Sequence, residues 1–192
     1  SAVDAEKNTE AEQYFLKLGK FVCDGLRETG SSFCPGQIMA NNPRWIMPLE
    51  SWIRQFRYWI NKAEPKELLD FSIFFDLRCV HGSHQLTDSL LDAVQSDLMA
   101  QPIFFAHLAQ NLLSYKPPSS RQGITHLLES EDSQHNPVNL KDFFLPLVGI
   151  TRLYALSHGV RETNSVERIE TLARLKVFHP HSSAEMSDSF EF

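Results

Sequence analysis

The 192-residue chain lacks most features that would fix its chemistry at a glance. No uninterrupted apolar run reaches the roughly 18 residues that a membrane-spanning helix requires. Only three cysteines are present, Cys23, Cys34 and Cys79, far apart and without a Cys-x-x-Cys pair. They fit reduced thiols in the cytoplasm rather than a disulfide framework. Basic residues are scarce, 18 Lys and Arg against 24 Asp and Glu, for a formal charge of −6. Because Lys and Arg supply the affinity for a phosphate backbone, nucleic acid is a poor first partner. There is no phosphate-binding glycine loop and no Gly-x-Ser-x-Gly elbow. Residues Ser1 to Glu6 show no basic stretch followed by an apolar one, so no signal peptide is visible. No initiating Met stands at position 1, as expected of a fragment of something longer.

What is present is ordinary for a soluble globular protein: 42% hydrophobic and 22% charged residues. The length allows one domain, or one domain plus a fragment of another, with a core that needs no metal or disulfide staple. Apolar residues recur at helical spacing along most of it. Tyr14, Phe15, Leu18, Phe21, Val22 and Leu26 form one face of a helix over about 10–27, ended by Gly30. The segment from Phe33 to Trp45, with Cys34-Pro35-Gly36 and Asn41-Asn42-Pro43, cannot be a long helix and leaves room for a short extended piece at Gln37–Ala40. Pro48 opens a helix with Trp52, Ile53, Phe56, Trp59 and Ile60 on one side.

After Glu64-Pro65, a third helix carries Leu68 through Leu77, and its many apolar sides place it centrally. Ser83 is positioned to cap a fourth helix through Leu98, and Pro102 opens a fifth through Leu113. Periodicity fails over 121–139. A sixth helix runs from about Leu140 to Ser157, started late or kinked by Pro146. Thr163 or Asn164 caps a seventh. The Ser-rich tail from His179 is expected to be frayed. Six or seven helices with almost no strand signal read as an all-α bundle.

Three arrangements invite a chemical reading. His81 and His84 flank a Gly-Ser turn, and no nearby Cys or carboxylate completes a ligand set, so a junction of helices is favoured over a metal site. Asp76 and Arg78 lie two apart in a very apolar stretch. An unpaired buried charge is costly, so a structural ion pair between helices is the first reading and a ligand-facing polar pair the second. Lys141 and Arg152 are the matching partners on the sixth helix, for a charge network with Asp76 or a groove for an anion. Arg152 also precedes His158 by six residues, a spacing that some helical ribonucleases use around a phosphate; the plain alternative is a helix-terminal His that favours the dipole.

Several unusual strings occur in a fixed order. They are Cys34-Pro35-Gly36 with Met39-Ala40-Asn41-Asn42-Pro43-Arg44-Trp45; Ile73-Phe74-Phe75-Asp76-Leu77-Arg78 with Val80 and Gly82; Asn139-Leu140-Lys141; Arg152 with Ala155-Leu156; and Thr163-Asn164-Ser165 with Glu167-Arg168. In this order the chain resembles, from about Tyr14 to Leu175, the C-terminal part of a bacterial family of nucleotidyltransferases. Those proteins often follow cyclic-nucleotide-binding and CBS domains and are similar to the uridylyltransferase of the PII protein.

The resemblance implies that a catalytic domain with a Gly-Ser element and an Asp-x-Asp pair comes first, where divalent metal ions and a nucleoside triphosphate meet. Neither element is present before Tyr14. Residues 1–47 are then the end of that α/β domain, 48–178 a helical substrate-binding domain and 179–192 a flexible tail. By the same resemblance Asp76, Arg78, Lys141, Arg152, Asn164 and Arg168 are the polar points of the substrate-binding surface. No catalytic or metal-binding residue and no cofactor is assigned to this chain itself. Two positions depart from the family pattern: Ser83 and Asn139 stand where an acidic residue is usual, which weakens any metal or cation site there.

The leading expectation is a cytoplasmic, non-catalytic helical module of a signal-transduction nucleotidyltransferase. Its partners would be the upstream nucleotidyltransferase, CBS and cyclic-nucleotide-binding domains and an acceptor protein or small molecule, with no nucleic acid and no membrane. The alternatives are an interaction module, conceivably a homodimer, that relays signals from upstream sensors, and a ribonuclease using Arg152 and His158.

Overall fold

A computed structural model describes residues 2–114 and 141–190. Eight α-helices are present among them, with no strand. The all-α reading therefore holds. The chain divides into two compact units, Ser1–Arg54 and Gln55–Phe192.

In the first unit, α1 (Ala2–Glu28) is longer than its apolar stripe alone suggests. It ends as the sequence predicts. Gly30 has φ +99°, its N–H donates to the Arg27 carbonyl at 3.0 Å, and the Ser31 N–H donates to the Leu26 carbonyl at 3.0 Å. That is the paired closure of a helix whose next residue is left-handed. On one side α1 meets the following loop at backbone distance: a Cβ at Gly19 would lie 2.1 Å from the Ala40 carbonyl oxygen.

The loop is held by side chains. Asn42 Nδ2 (2.8 Å) and Trp45 Nε1 (3.1 Å) both donate to the carbonyl of Gln37. Asn42 Oδ1 accepts from the Arg44 N–H and caps the short 3-10 turn Pro43–Trp45. The Trp45 ring stacks on Trp52 at 6.1 Å, so Trp45 pins the loop onto α2 (Leu49–Lys62). The extended piece allowed at Gln37–Ala40 does not become a strand. Gln37 has φ +57°, and its carbonyl serves two side chains instead of a neighbouring strand.

In the second unit, an aromatic core joins the end of α2 to α3 (Pro65–Phe74) and α5 (Pro102–Leu113). Phe71 is fully buried, edge-on to Phe56 at 5.7 Å and Phe104 at 4.8 Å, and stacked on Phe75 at 5.7 Å. Trp59, equally buried, stacks on Phe74 at 5.6 Å. Beside it a buried Glu67 accepts a hydrogen bond from Lys62 at 3.0 Å, which holds its carboxyl below the usual carboxylate range.

The third helix does not reach Leu77, and this corrects the sequence reading. It stops at Phe74, the Phe75 N–H closes it on Phe71, and the chain turns at Phe75–Asp76. Stacking of Phe74 on Trp59 fastens the helix end to α2, and the residues after Phe75 leave the helical path. Nor is α3 buried all round, since Leu69 and Ile73 are exposed.

Helix α4 (His84–Ala100) starts after Ser83, as expected, but the Ser83 side chain makes no capping hydrogen bond. Helix α6 (Lys141–Ser157) keeps Pro146 inside it instead of starting there. Its end is a closure like that of α1, with Gly159 at φ +69° and the Val160 N–H on the Ala155 carbonyl at 2.8 Å. Helix α7 (Ser165–Arg174) closes the same way with Lys176 in the left-handed region, at φ +60°. These two ends bring Ala155, Val160 and Leu172 into one buried cluster, with Val177 and Phe178 against it.

The tail is a second correction. Pro180–Asp188 is helix α8, with Pro180 in its first turn and His179 Nδ1 accepting from the His181 N–H. Ser183 is buried, and Phe190 stacks on Phe144 of α6 at 5.7 Å. Hydrophobic periodicity misses this helix because a cap and a few contacts hold it, with no apolar stripe. The irregular segment and polar loop expected over 121–139 lie outside the described residues.

Candidate functional site

Three of the six expected site residues converge. Asp76 sits on the turn after α3, Arg152 on α6 and Arg168 on α7, up to 92 residues apart in sequence. One Asp76 oxygen, Oδ2, accepts from Arg152 at 2.5 Å, and the other, Oδ1, accepts from Arg168. Arg168 is held a second time, its Nε donating to the Glu162 carbonyl at 2.5 Å, and its guanidinium lies over the Phe75 ring at 5.4 Å.

The burial of the three is uneven. The Arg168 side chain is 2% exposed, whereas Asp76 and Arg152 are 25% and 23% exposed. A charge as deeply buried as Arg168 persists only when paired and hydrogen-bonded, which Asp76 and the Glu162 carbonyl accomplish. Two guanidiniums on one carboxylate leave the cluster with a net positive charge. One donor is left over: Arg152 Nε is buried and has no hydrogen-bond partner among the described residues.

A narrow groove adjoins the cluster. Phe75, Leu91, Val94 and Leu156 form apolar walls, and Gln95, Arg161, Thr163 and Arg168 supply polar groups. Its volume, about 30 Å³, suits a water-sized group. Arg161 pairs with Asp92 across exposed surface. Glu162 takes a hydrogen bond from the Thr171 hydroxyl at 2.6 Å, which holds its carboxyl below the usual range. A lowered carboxyl stabilises the fold above its unfolded-state pKa, and that contribution fades as pH falls through the folded value.

The other expected residues play different parts. Asn164 caps α7: its Oδ1 accepts from the N–H of Val166 at 2.8 Å and of Glu167 at 3.3 Å. It therefore sets the start of the helix that carries Arg168 and has no direct role at the cluster. Asn164→Ala is expected to cost about 1 kcal/mol in a urea unfolding series, while Asn164→Gly costs only a few tenths. Arg78 is exposed and makes no ion pair among the described residues. Asp76 and Arg78 face different surroundings, as two positions two apart were expected to. The side chain of Lys141 lies outside the described residues.

The ion-pair reading of Asp76 is what the structure shows, with Arg152 as one of its two named candidates. Arg168 as the second, deeper partner was not legible from spacing; the signal was a lone Arg on the otherwise apolar face with Ile169 and Leu172. The groove residues Gln95 and Arg161 carried no sequence signal, and Thr163 carried one only as a helix cap and in the family string. The Arg152–His158 reading gains nothing: among the described residues no hydrogen bond joins the two, Arg152 pairing with Asp76 and His158 lying against Ser157 and the Tyr154 carbonyl. His158 is exposed at the end of α6, with Nδ1 2.9 Å from the Tyr154 carbonyl. Among the described residues no three His, Cys, Asp or Glu side chains gather to hold a metal ion, and no helix is long and apolar enough to cross a membrane.

Comparison with known families accounts for most of the chain. Residues 2–66 match the family described as "Putative nucleotidyltransferase DUF294". Residues 102–192 match the one described as "Putative nucleotidyltransferase substrate binding domain". The chain carries a nucleotidyltransferase-associated substrate-binding module. No curated protein and no solved structure matches it significantly. The substrate-binding match takes in α5 through α8, so Arg152, Asn164, Arg168 and the unforeseen helix α8 all belong to the module. Asp76 lies in the unmatched stretch between the two and reaches into the module through its two arginines.

Proposed function

We propose that this module holds the acceptor of a bacterial, cytoplasmic signal-transduction nucleotidyltransferase, and that it does not transfer nucleotides by itself. The observation that carries the reading is the Asp76–Arg152–Arg168 cluster, a partly exposed cationic arrangement beside a groove of which one side belongs to the substrate-binding family match. Arg78 and Lys141 complete the polar surface in this reading. The intact parent would add the nucleotide-bearing domain, with CBS and cyclic-nucleotide-binding domains upstream as sensors.

The divalent metal and nucleoside triphosphate of such a parent do not fit the residues described here. Asp76, the carboxylate of the cluster, is neutralised by two guanidiniums, and a cation placed on it would meet their repulsion. The groove is also far smaller than a nucleotide. Incubation of this chain with labelled nucleoside triphosphates and Mg²⁺ or Mn²⁺ is therefore expected to give no incorporation into itself or added proteins. Robust incorporation would sink the non-catalytic reading. Addition of a nucleotidyltransferase domain from the same protein should restore transfer, and Arg152→Ala should then raise the KM for the acceptor with kcat little changed.

The exposed apolar residues of α1 favour a second reading, an interaction or dimerisation module. Tyr14, Phe15, Leu18, Phe21, Val22 and Leu26 are all more than two-fifths exposed, and an exposed apolar patch marks a contact surface. Light scattering distinguishes the two: a dimer that dissociates on Phe21→Glu supports this second reading.

A further inference from the structure

We propose that Arg152 and Arg168 form a receptor for a phosphoryl group of the acceptor, and that Asp76 occupies it as an internal stand-in while the acceptor is absent. The proposal rests on the acceptor-holding reading above and names the chemistry of what is held.

The first argument is a count of oxygens and donors. A carboxylate offers two oxygens, and both are used, one on each arginine. Arg152 Nε is left buried without an acceptor among the described residues. Glu67 Oε2 and Thr151 Oγ1 are orphaned in the same way, but Arg152 Nε alone lies in the arginine cluster, where an incoming acceptor would relieve its desolvation cost. A tetrahedral phosphoryl group has a further oxygen to give.

The second argument is charge. Two guanidiniums and one carboxylate leave one positive charge uncompensated, whereas a phosphoryl dianion matches both arginines. The planar fork of arginine is suited to bidentate phosphate contacts.

Third is access. Arg168 is fixed from behind, by the Glu162 carbonyl and the Phe75 ring, and keeps its place whatever binds in front. Asp76 and Arg152 are about a quarter exposed, so the pairing is reached from solvent. Asp76 also sits outside any regular element. The stretch 75–83 holds no helix or strand and includes Gly82 at φ +101°. Such a segment can swing its carboxylate aside at lower cost than a helix can.

Finally, Arg161 and Thr163 line the groove that shares Arg168, which at about 30 Å³ has room for a single phosphoryl oxygen beside that guanidinium. The exposed Arg161–Asp92 pair is of the kind that contributes little and yields readily to a competing anion.

The test titrates inorganic phosphate into the full chain, followed by calorimetry and by the arginine Nε–H resonances. Phosphate is expected to shift the Arg152 Nε–H signal. Asp76→Asn, which removes the competitor's charge, should tighten phosphate binding at least tenfold. Arg152→Lys keeps the charge but loses the fork, and should weaken it at least tenfold. Acetate, with two oxygens and a single charge, should bind at least tenfold more weakly than phosphate.

Equal binding of acetate and phosphate overturns the phosphoryl assignment. So does unchanged affinity in Asp76→Asn, or no shift of the Arg152 signal in the wild-type chain. If Asp76→Asn does not fold, wild type against Arg152→Lys decides alone. Phosphate binding at the arginines in a chain that gives no acceptor-dependent transfer with its catalytic domain would retire the proposed function and leave the site standing.

Discussion

Asp76→Ala is expected to destabilise the second unit by about 3 kcal/mol, measured as the loss of unfolding free energy in urea by far-ultraviolet circular dichroism. Removing one partner of a buried pair strands the other charge, and typical costs run to about 3–5 kcal/mol. The lower figure applies because Asp76 itself is a quarter exposed and water partly replaces it. The stranded charge is Arg168, which is almost wholly buried and cannot turn outward while its Nε is held by the Glu162 carbonyl. Arg152 is more exposed and recovers some hydration. Asp92→Ala is the matched control. It also breaks an aspartate–arginine pair between distant segments, but both partners are at least half exposed, and such pairs contribute about 0–1 kcal/mol. Equal effects from the two substitutions would show that Arg168 is not the buried cation described here. Replacing Asp76 and Arg168 together, with Ala and Met, should recover part of the loss, since no charge is then left alone.

Much of this site was legible in the sequence, but not its geometry. The cost of an unpaired buried charge pointed to a partner for Asp76, and Arg152 was among the two candidates. Yet Asp76 reads as part of the helix, because the apolar run Phe71–Leu77 continues past the point where the helix ends. At that point Phe74 stacks on Trp59 of α2, a tertiary contact that no local propensity encodes. Arg168 shows the converse. Its place beside Ile169 and Leu172 marks the buried face of α7, but only the fold reveals which carboxylate meets it there.

The helices themselves were legible wherever a stripe of large apolar residues met a strong terminus. Gly30 and Asn164 mark their ends as the sequence suggested. Helix α8 was missed because its signature is local and polar: a His cap, a Pro in the first turn and a buried Ser183. The left-handed Lys176 was equally invisible. A glycine announces that conformation, whereas a lysine adopts it only because Val177 and Phe178 must reach the Leu172 cluster. Apolar periodicity thus sufficed for the fold class, motif order for the family resemblance, and neither for the contacts that make the site.

Phe71→Ala carries the largest expected effect, a loss of about 3–5 kcal/mol on unfolding in urea. Phe71 has no exposure and touches three rings on three sides, Phe56 from α2, Phe75 from the turn and Phe104 from α5. Deleting it removes the apolar burial of a full aromatic side chain and opens a cavity that stiff neighbouring rings fill poorly. Leu69→Ala, two positions away on the same helix, is the control. Leu69 is 58% exposed, so its loss should stay within about 0.5 kcal/mol. The ring contacts themselves are tested by a double-mutant cycle of Phe71 and Phe104, each to Leu. Their edge-on approach at 4.8 Å should give a coupling of about 0.5–1.5 kcal/mol beyond the burial of each. The same substitution reaches the site. Phe75 stacks on Phe71 on one side and lies under the Arg168 guanidinium on the other. Phe71→Ala should therefore loosen the turn that carries Asp76, seen as faster amide exchange over 75–83 than in α4 at a denaturant concentration where both remain folded. Uniform exchange across the two segments would separate the aromatic core from the arginine cluster and remove the physical link argued between them.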